Sequence, residues 1–101
     1  MEIINNIEKS RYEIFIEGKL AGFADYEIED GTVKFPHTEV DPAFGGRGVG
    51  SSLVEFALNE VKKQLKLVAP ICPFVAKAIS KKPDQYLELV PQAERAKYGI
   101  A

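Results

Sequence analysis

Every second residue is apolar in the segment Arg11–Glu17, which is the pattern of a strand with one buried face. The same alternation returns in Leu20–Glu29, after a short turn at Gly18-Lys19. Asp30-Gly31 is a dipeptide typical of a two-residue hairpin turn, and a third strand begins at Thr32. The first part of the chain is therefore predicted to be a meander of three antiparallel strands.

The third predicted strand contains one irregularity. Val33 and Phe35 share a face, and strict alternation would place the next apolar residue at position 37, which is His37. The next apolar side chain is instead Val40, and Pro36, which cannot donate a hydrogen bond to a neighbouring strand, lies where the pattern changes. A β-bulge or a splay near Pro36-His37 would account for both observations.

A long amphipathic helix is predicted from Arg47 to Lys66. Its apolar residues recur at three- and four-residue spacing on one face: Val49, Leu53, Val54, Ala57, Leu58, Val61 and Leu65. The apolar segment Leu67–Cys72 that follows is long enough for one buried strand. Because a helix connects them, Thr32–Val40 and Leu67–Cys72 are expected to form a parallel pair.

The remainder of the chain is predicted to be helical. Pro73 suits the first turn of a helix, which is expected to cover Phe74–Lys81, and a short helical segment is expected at Gln85–Leu89. The tail after Pro91 is polar and is expected to be helical or frayed. These elements predict one domain of the mixed α+β class, with an antiparallel meander, a parallel βαβ unit and short C-terminal helices.

Glycines cluster where the long helix must begin, at Gly45, Gly46, Gly48 and Gly50, with Arg47 among them. A helix N-terminus offers unpaired backbone N–H groups and partial positive charge, and glycines let an anion approach that backbone closely. This arrangement is suited to binding phosphate or pyrophosphate. It is not a P-loop, because no Gly-Lys-Ser/Thr follows, and the dinucleotide fingerprint G-x-G-x-x-G also fails.

The segment Val40-Asp41-Pro42-Ala43-Phe44-Gly45-Gly46-Arg47-Gly48-Val49-Gly50 resembles the acetyl-CoA-binding motif of the GCN5-related N-acetyltransferases, usually written Q/R-x-x-G-x-G/A. His37-Thr38-x-Val40 before it and Cys72-Pro73-Phe74-Val75 after it are similar to the small, single-domain YjdJ-like branch of that superfamily. The resemblance covers about residues 7–90 of the single predicted domain, 1–101. It departs from the motif at Gly45, where the superfamily usually has Arg or Gln.

The resemblance implies a three-layer acetyltransferase fold, in which the bulged strand diverges from its parallel neighbour and opens a slot for the pantetheine arm of acetyl-CoA. The residues that it implies for cofactor binding are Val40, Gly45, Gly46, Arg47, Gly48, Val49, Gly50 and Ser51. Arg47 would add positive charge near the phosphates, and the Ser51 hydroxyl could assist. Lys81 and Lys82 either contact the 3′-phosphate of CoA or form an ordinary solvated helix end.

Cys72 and His37 are the candidate catalytic residues. Cys72 is expected at a strand end, facing the slot beside a helix N-terminus, a position that favours a thiolate; the resemblance implies a catalytic role for it. Alternatively, it is a small buried hydrophobic residue. His37, the only histidine, is either a general base or a structural group that holds the bulge. One histidine and one cysteine are too few ligands for a metal site.

Composition and charge narrow the range of functions. The net charge of −2 argues against a general nucleic-acid-binding protein, and no apolar run is long enough to cross a membrane. A single cysteine and the lack of a signal-like N-terminus predict a cytoplasmic location. Residues 1–42 carry −6 and residues 43–101 carry +4, so an anionic cofactor is expected at the second half and a cationic amine at the first.

The main hypothesis is therefore an acetyl-CoA-dependent N-acetyltransferase that acts on a small amine or a lysine-bearing peptide. It is expected to be a monomer or a weak homodimer. Direct transfer to the amine and a relay through acetyl-Cys72 are both compatible with the residues. The alternatives are a CoA- or acyl-CoA-binding module without turnover, which the absence of Arg or Gln at Gly45 fits, and a small interaction domain.

Overall fold

The computed structural model describes residues 1–100. The strands are β1 (Glu2–Asn6), β2 (Arg11–Ile16), β3 (Lys19–Glu29), β4 (Thr32–Val40) and β5 (Leu67–Ala69); the helices are α1 (Val49–Lys63), α2 (Pro73–Lys81) and α3 (Pro83–Tyr86). Short 3-10 turns cover Pro42–Phe44, Leu87–Leu89, Gln92–Glu94 and Ala96–Tyr98. The five strands form one sheet in chain order, antiparallel except for the parallel pair β4–β5, so the predicted mixed α+β class is confirmed.

Strand β1 precedes the three strands that the sequence predicts. It pairs antiparallel with β2, and Asn5 on it accepts a hydrogen bond of 2.7 Å from the hydroxyl of Tyr26 on β3. Its sequence, Glu-Ile-Ile-Asn-Asn, lacks the alternation of a half-buried strand. The formation of β1 therefore depends on pairing with β2 and on this cross-sheet hydrogen bond, and not on a local sequence pattern.

The bulge in β4 lies where the sequence predicts it. Asp25 of β3 pairs with His37, but Glu27 pairs with Lys34, so Phe35 and Pro36 together face the single residue Tyr26. The extra residue reverses the side-chain alternation of β4. As a result, His37 points to the sheet face opposite to the one that carries Phe35.

Left-handed backbone conformations limit the long helix at both ends. Gly48, with φ 70°, precedes its first residue, and Leu65, with φ 58°, lies just beyond its last turn. The helix is therefore shorter than the predicted Arg47–Lys66. Strand β5 is also shorter than predicted, because Pro70 has no N–H to continue the ladder and the N–H of Ile71 turns back to the carbonyl of Ala69.

The hydrophobic core lies between the sheet and α1. One face of β2, β3 and β4 packs against α1, with the Tyr12 ring 6.1 Å from that of Phe56. Side chains of α2 and α3 extend this core, and Tyr86 donates a 3.1 Å hydrogen bond to Asn59 of α1. The tail is packed rather than frayed, since Ile100 is buried. Within residues 1–100, no helix is both long and apolar enough to cross a membrane.

Candidate active site

Strands β4 and β5 pair over only three residues before they part. Thr32–Lys34 lie opposite Leu67–Ala69, and the last bond between the two chain segments is a 2.8 Å hydrogen bond from the N–H of Cys72 to the carbonyl of Phe35. Beyond this point β4 continues to Val40 without a strand on its β5 side. This divergence is the geometry that the resemblance implied for the slot.

The glycine turn, residues 45–50, follows β4 and leads into α1. Gly46 (φ 79°) and Gly48 (φ 70°) adopt left-handed conformations, and a Cβ atom at either position would have no atom within 4 Å. None of the backbone N–H groups from Gly46 to Ser51 donates a hydrogen bond to another described residue; the helical ladder starts with Ser52 N to Gly48 O, 3.0 Å. A row of free donors at the start of a 15-residue helix is suited to an anion.

A cavity of about 230 Å³ lies over this turn. It is lined by Val40, Phe44, Gly45, Gly46, Gly48, Val49, Gly50, Ser51 and Phe74. The guanidinium carbon of Arg47 lies 5.6 Å from the centroid of the Phe44 ring, so the positive charge of that side chain is held beside the turn. The carboxylate of Asp41 accepts the N–H of Ala43 and fixes the 3-10 turn that leads into the glycines.

The predicted cofactor-binding residues lie together, but they do not all present side chains. Val49 is buried, so its backbone N–H is the group available to a ligand. Gly50 is also buried, and a Cβ atom there would lie 2.5 Å from the ring of Phe74. Gly45 has an ordinary extended backbone, and its N–H bonds to the carbonyl of Pro42. No left-handed conformation requires a glycine at position 45, where the superfamily usually carries Arg or Gln.

A second cavity of about 230 Å³ runs between α1 and α2. Ser51 and Phe74 line both this cavity and the one over the glycine turn. Lys77 and Lys81, on its α2 side, make no ion pair with the described residues. Lys82 is bound 3.0 Å from Glu55, and this hydrogen bond raises the pKa of Lys82.

Sequence reasoning missed Phe74 and Lys77 as parts of this surface. The i, i+4 spacing of Lys77 and Lys81 puts both lysines on one side of α2, and that spacing is visible in the sequence. That this side of α2 faces α1 and continues the glycine-turn cavity depends on helix packing. Only the tertiary structure gives that information.

Cys72 caps the N-terminus of α2 and is buried, with 7% of its surface exposed. Its side chain makes no capping hydrogen bond, and its backbone N–H bonds to the carbonyl of Phe35 beyond the β4–β5 ladder. His37 lies two residues beyond Phe35 in the chain. The two candidate catalytic residues are thus brought to the same divergence point, although they are 35 positions apart in the sequence.

His37 is on the face of the sheet that points away from α1, and its side chain is 57% exposed. Its Nε2 lies 3.7 Å from the carboxylate of Glu39, and its ring is 6.1 Å from the centroid of Phe23 in an edge-to-face arrangement. A base in this position is open to solvent and to an acceptor that approaches from the same face.

Thr38 is a further polar residue at the divergence; it belongs to the His37-Thr38-x-Val40 segment, but no role was predicted for it. It pairs with Ala24 and shares the α1 side of the sheet. Its hydroxyl oxygen is buried and has no hydrogen-bond partner in residues 1–100. A buried hydroxyl without a partner is costly, so this group is suited to a polar ligand that enters the slot. No group of three His, Cys, Asp or Glu side chains in this part of the chain is placed to bind a metal.

Comparison with known proteins agrees with this geometry. Residues 11–89 match the family model described as GCN5-related N-acetyl-transferase. The fold is similar to the solution structure of a GCN5-like candidate N-acetyltransferase from Staphylococcus aureus, with a TM-score of 0.65 and 23% identity over 89% of this chain and 87% of that one. No match was found among curated proteins.

A second similar structure is the ribosomal-protein-S18-alanine N-acetyltransferase of Escherichia coli, with a TM-score of 0.52 and 26% identity over 54% of this chain. The match spans only 35% of that enzyme's own length. The family model covers most of the present sequence, including the glycine turn and Cys72. The chain belongs to the GCN5-related N-acetyltransferase family.

Proposed function

We propose that this protein transfers the acetyl group of acetyl-CoA to an amine. The observation that carries the proposal is the row of free backbone N–H groups from Gly46 to Ser51, which lines a cavity at the point where β4 and β5 diverge. These donors and the nearby Arg47 suit the pyrophosphate of CoA. The unpartnered hydroxyl of Thr38 suits a polar group of the pantetheine arm.

The rest of the cofactor has a place in the same surface. The groove between α1 and α2 continues from the glycine turn through Ser51 and Phe74, and it offers the free ammonium groups of Lys77 and Lys81. We assign this groove to the 3′-phosphate and adenosine of CoA. Of the lysines considered from the sequence, Lys81 is the better candidate, because Lys82 is already paired with Glu55.

When bound, acetyl-CoA supplies an activated thioester: the amine nitrogen forms a C–N bond to the acetyl carbon, the C–S bond breaks, the amine loses a proton, and the CoA sulfur leaves as a thiolate. His37 would take the proton from the amine, directly or through one water molecule. Strand N–H groups of β4 beyond Phe35, which have no β5 partner, would polarise the acetyl oxygen. The burial of Cys72 favours direct transfer over a relay through its sulfur.

A binding module without turnover is the second candidate. The burial of Cys72 and the absence of a side chain at Gly45 favour it. It would use the same cofactor surface, but His37 and Cys72 would have only structural roles.

Kinetics on His37→Ala, Cys72→Ala and the double variant separate these possibilities. Direct transfer with His37 as base predicts a large loss of kcat, on the order of a hundred-fold or more, in His37→Ala and a much smaller loss in Cys72→Ala. A relay predicts an acetylated Cys72 that mass spectrometry detects after incubation with acetyl-CoA alone. If acetyl-CoA binds in a calorimetric titration but a panel of amines is not acetylated, the binding module is correct.

A further inference from the structure

The sheet face that points away from α1 carries a connected set of polar and aromatic side chains, which we call the open face. Strand pairing places Asn6, Arg11, Asp25 and His37 in one row across the sheet, and Ile4, Glu13, Phe23 and Glu39 in the next. Ile4, His37 and Glu39 are exposed to solvent, and Phe23 and Asp25 are half-buried. The open face therefore includes the candidate base and is accessible.

Phe23 is held at the centre of this face. The guanidinium carbon of Arg11 lies 4.4 Å from its ring centroid, and the His37 ring approaches from the β4 side. Arg11 is itself fixed by a 2.7 Å ion pair with Glu13, which also accepts a hydrogen bond from Asn6. The Phe23 ring is thus a fixed apolar platform beside His37, and it is suited to the methylene chain of a lysine side chain.

A cavity of about 330 Å³ opens next to this platform. Its lining includes Leu20, Phe23, Glu39, Val40, Asp41 and Pro42. Val40 also lines the cavity over the glycine turn, so the two cavities share a lining residue. The volume is at the low end for a ligand site, which fits a side chain better than a large molecule.

The charges of the open face favour a cationic occupant. Arg11 is bound to Glu13, and Lys34, opposite Glu27, is bound to Glu29. Asp25 and Glu27 make no ion pair within residues 1–100, and Glu39 has only the imidazole of His37 nearby. These three carboxylates are spread over β3 and β4 rather than directed at one point. Several positive charges along a chain match that distribution better than one small amine does.

We propose that the acceptor is a basic peptide segment, bound across the open face with a lysine side chain on Phe23 and its amine next to His37. The proposal rests on the proposed acetyltransferase function and specifies its acceptor. Carboxylates on β3 and β4 contact basic residues that flank the acetylated lysine. These contacts determine affinity for the acceptor and leave the cofactor site unaffected.

The first test is kinetic. Two peptides are compared, each with one reactive lysine, flanked in one by arginines and in the other by serines. We expect the arginine peptide to have a KM at least ten-fold lower. Glu27→Gln with Asp25→Asn should raise that KM about two- to five-fold per carboxylate at low salt, with the Kd for acetyl-CoA unchanged. Glu94→Gln, which removes one charge in the tail, is the matched control.

The second test does not depend on catalysis. Fluorescence anisotropy measures binding of the labelled arginine peptide to the free protein and to Phe23→Ala, with circular dichroism to confirm folding. Weaker binding in Phe23→Ala and in the carboxylate variants, and unchanged binding in Glu94→Gln, would support the proposal. Any of three results would overturn the proposal. They are equal KM values for the two peptides, a lower KM for a free polyamine than for either peptide, and peptide binding that these variants do not change. If the wild-type protein does not bind acetyl-CoA, that result would instead contradict the proposed function.

Discussion

Replacement of Gly48 by Asp and by Asn tests the anion site with a matched pair. Both side chains tolerate the left-handed backbone better than other residues do, and the structure has open space where the Cβ atom would be, with φ 70° at this position. The two variants have almost the same shape and differ by one negative charge. Any difference between them in CoA affinity therefore reports electrostatics at the glycine turn.

The expected magnitude follows from Coulomb's law. Two unit charges about 7 Å apart interact by about 1 kcal/mol at an effective dielectric constant of about 40, which lies between the values for water and for a protein surface. A carboxylate at Gly48 faces the two charges of a pyrophosphate, so Gly48→Asp should bind CoA about 2 kcal/mol more weakly than Gly48→Asn. This corresponds to a Kd about thirty-fold higher.

Calorimetric titration with CoA at two salt concentrations is the assay. The gap between Gly48→Asp and Gly48→Asn should shrink as salt rises, because exposed charges are screened. Urea unfolding of both variants should show nearly equal free energies of unfolding, each about 1 kcal/mol below the wild type. Equal CoA affinities for the two variants, with both folded, would refute the assignment of the pyrophosphate to this turn.

Three further predictions concern stability. Gly50→Ala should lower the free energy of unfolding by about 1 kcal/mol in urea titrations, because its Cβ would lie 2.5 Å from the Phe74 ring. In a Phe74→Ala background the ring is absent, and the same change should be neutral or stabilising. Burial raises the pKa of Glu13, but its hydrogen bonds and basic neighbours outweigh burial and lower that pKa overall. The ionised Glu13 carboxylate therefore stabilises the folded protein above the unfolded-state pKa of about 4.3, and this stabilisation is lost as pH falls through the lower pKa of the folded state. In urea titrations, the free energy of unfolding of Glu13→Gln should fall less than that of the wild type between about pH 5 and 3. Tyr86→Phe removes the hydrogen bond to Asn59 and should cost about 1 kcal/mol, measured by urea unfolding.

The family resemblance and the geometry of the structure specify different parts of the site. The YjdJ-like branch, the roles of Cys72 and His37 and the oligomeric state stay predictions. The burial of Cys72, a residue that is 7% exposed, bears on its role, since little of it is accessible to an acceptor from solvent. His37, on the opposite face, has no such restriction. The bulge therefore gives the two residues different access to an acceptor, which neither motif indicates.

The sequence alone determined the features that depend on short-range chemistry. Alternation gave β2 and β3, Asp30-Gly31 gave the hairpin, and the shift between Phe35 and Val40 located the bulge, because each follows from backbone preferences of a few neighbouring residues. The position of the glycine turn before α1 was equally predictable from the sequence.

Tertiary packing decided the rest. Strand β1 forms because β2 offers an edge, and the groove with Lys77 exists because α2 packs beside α1. The network of Arg11, Phe23 and His37 joins three strands whose register is set only when the sheet assembles. Periodicity along a chain indicates which residues share a face, but contacts between distant residues depend on register and helix packing, and those follow from the cooperative burial of the whole core.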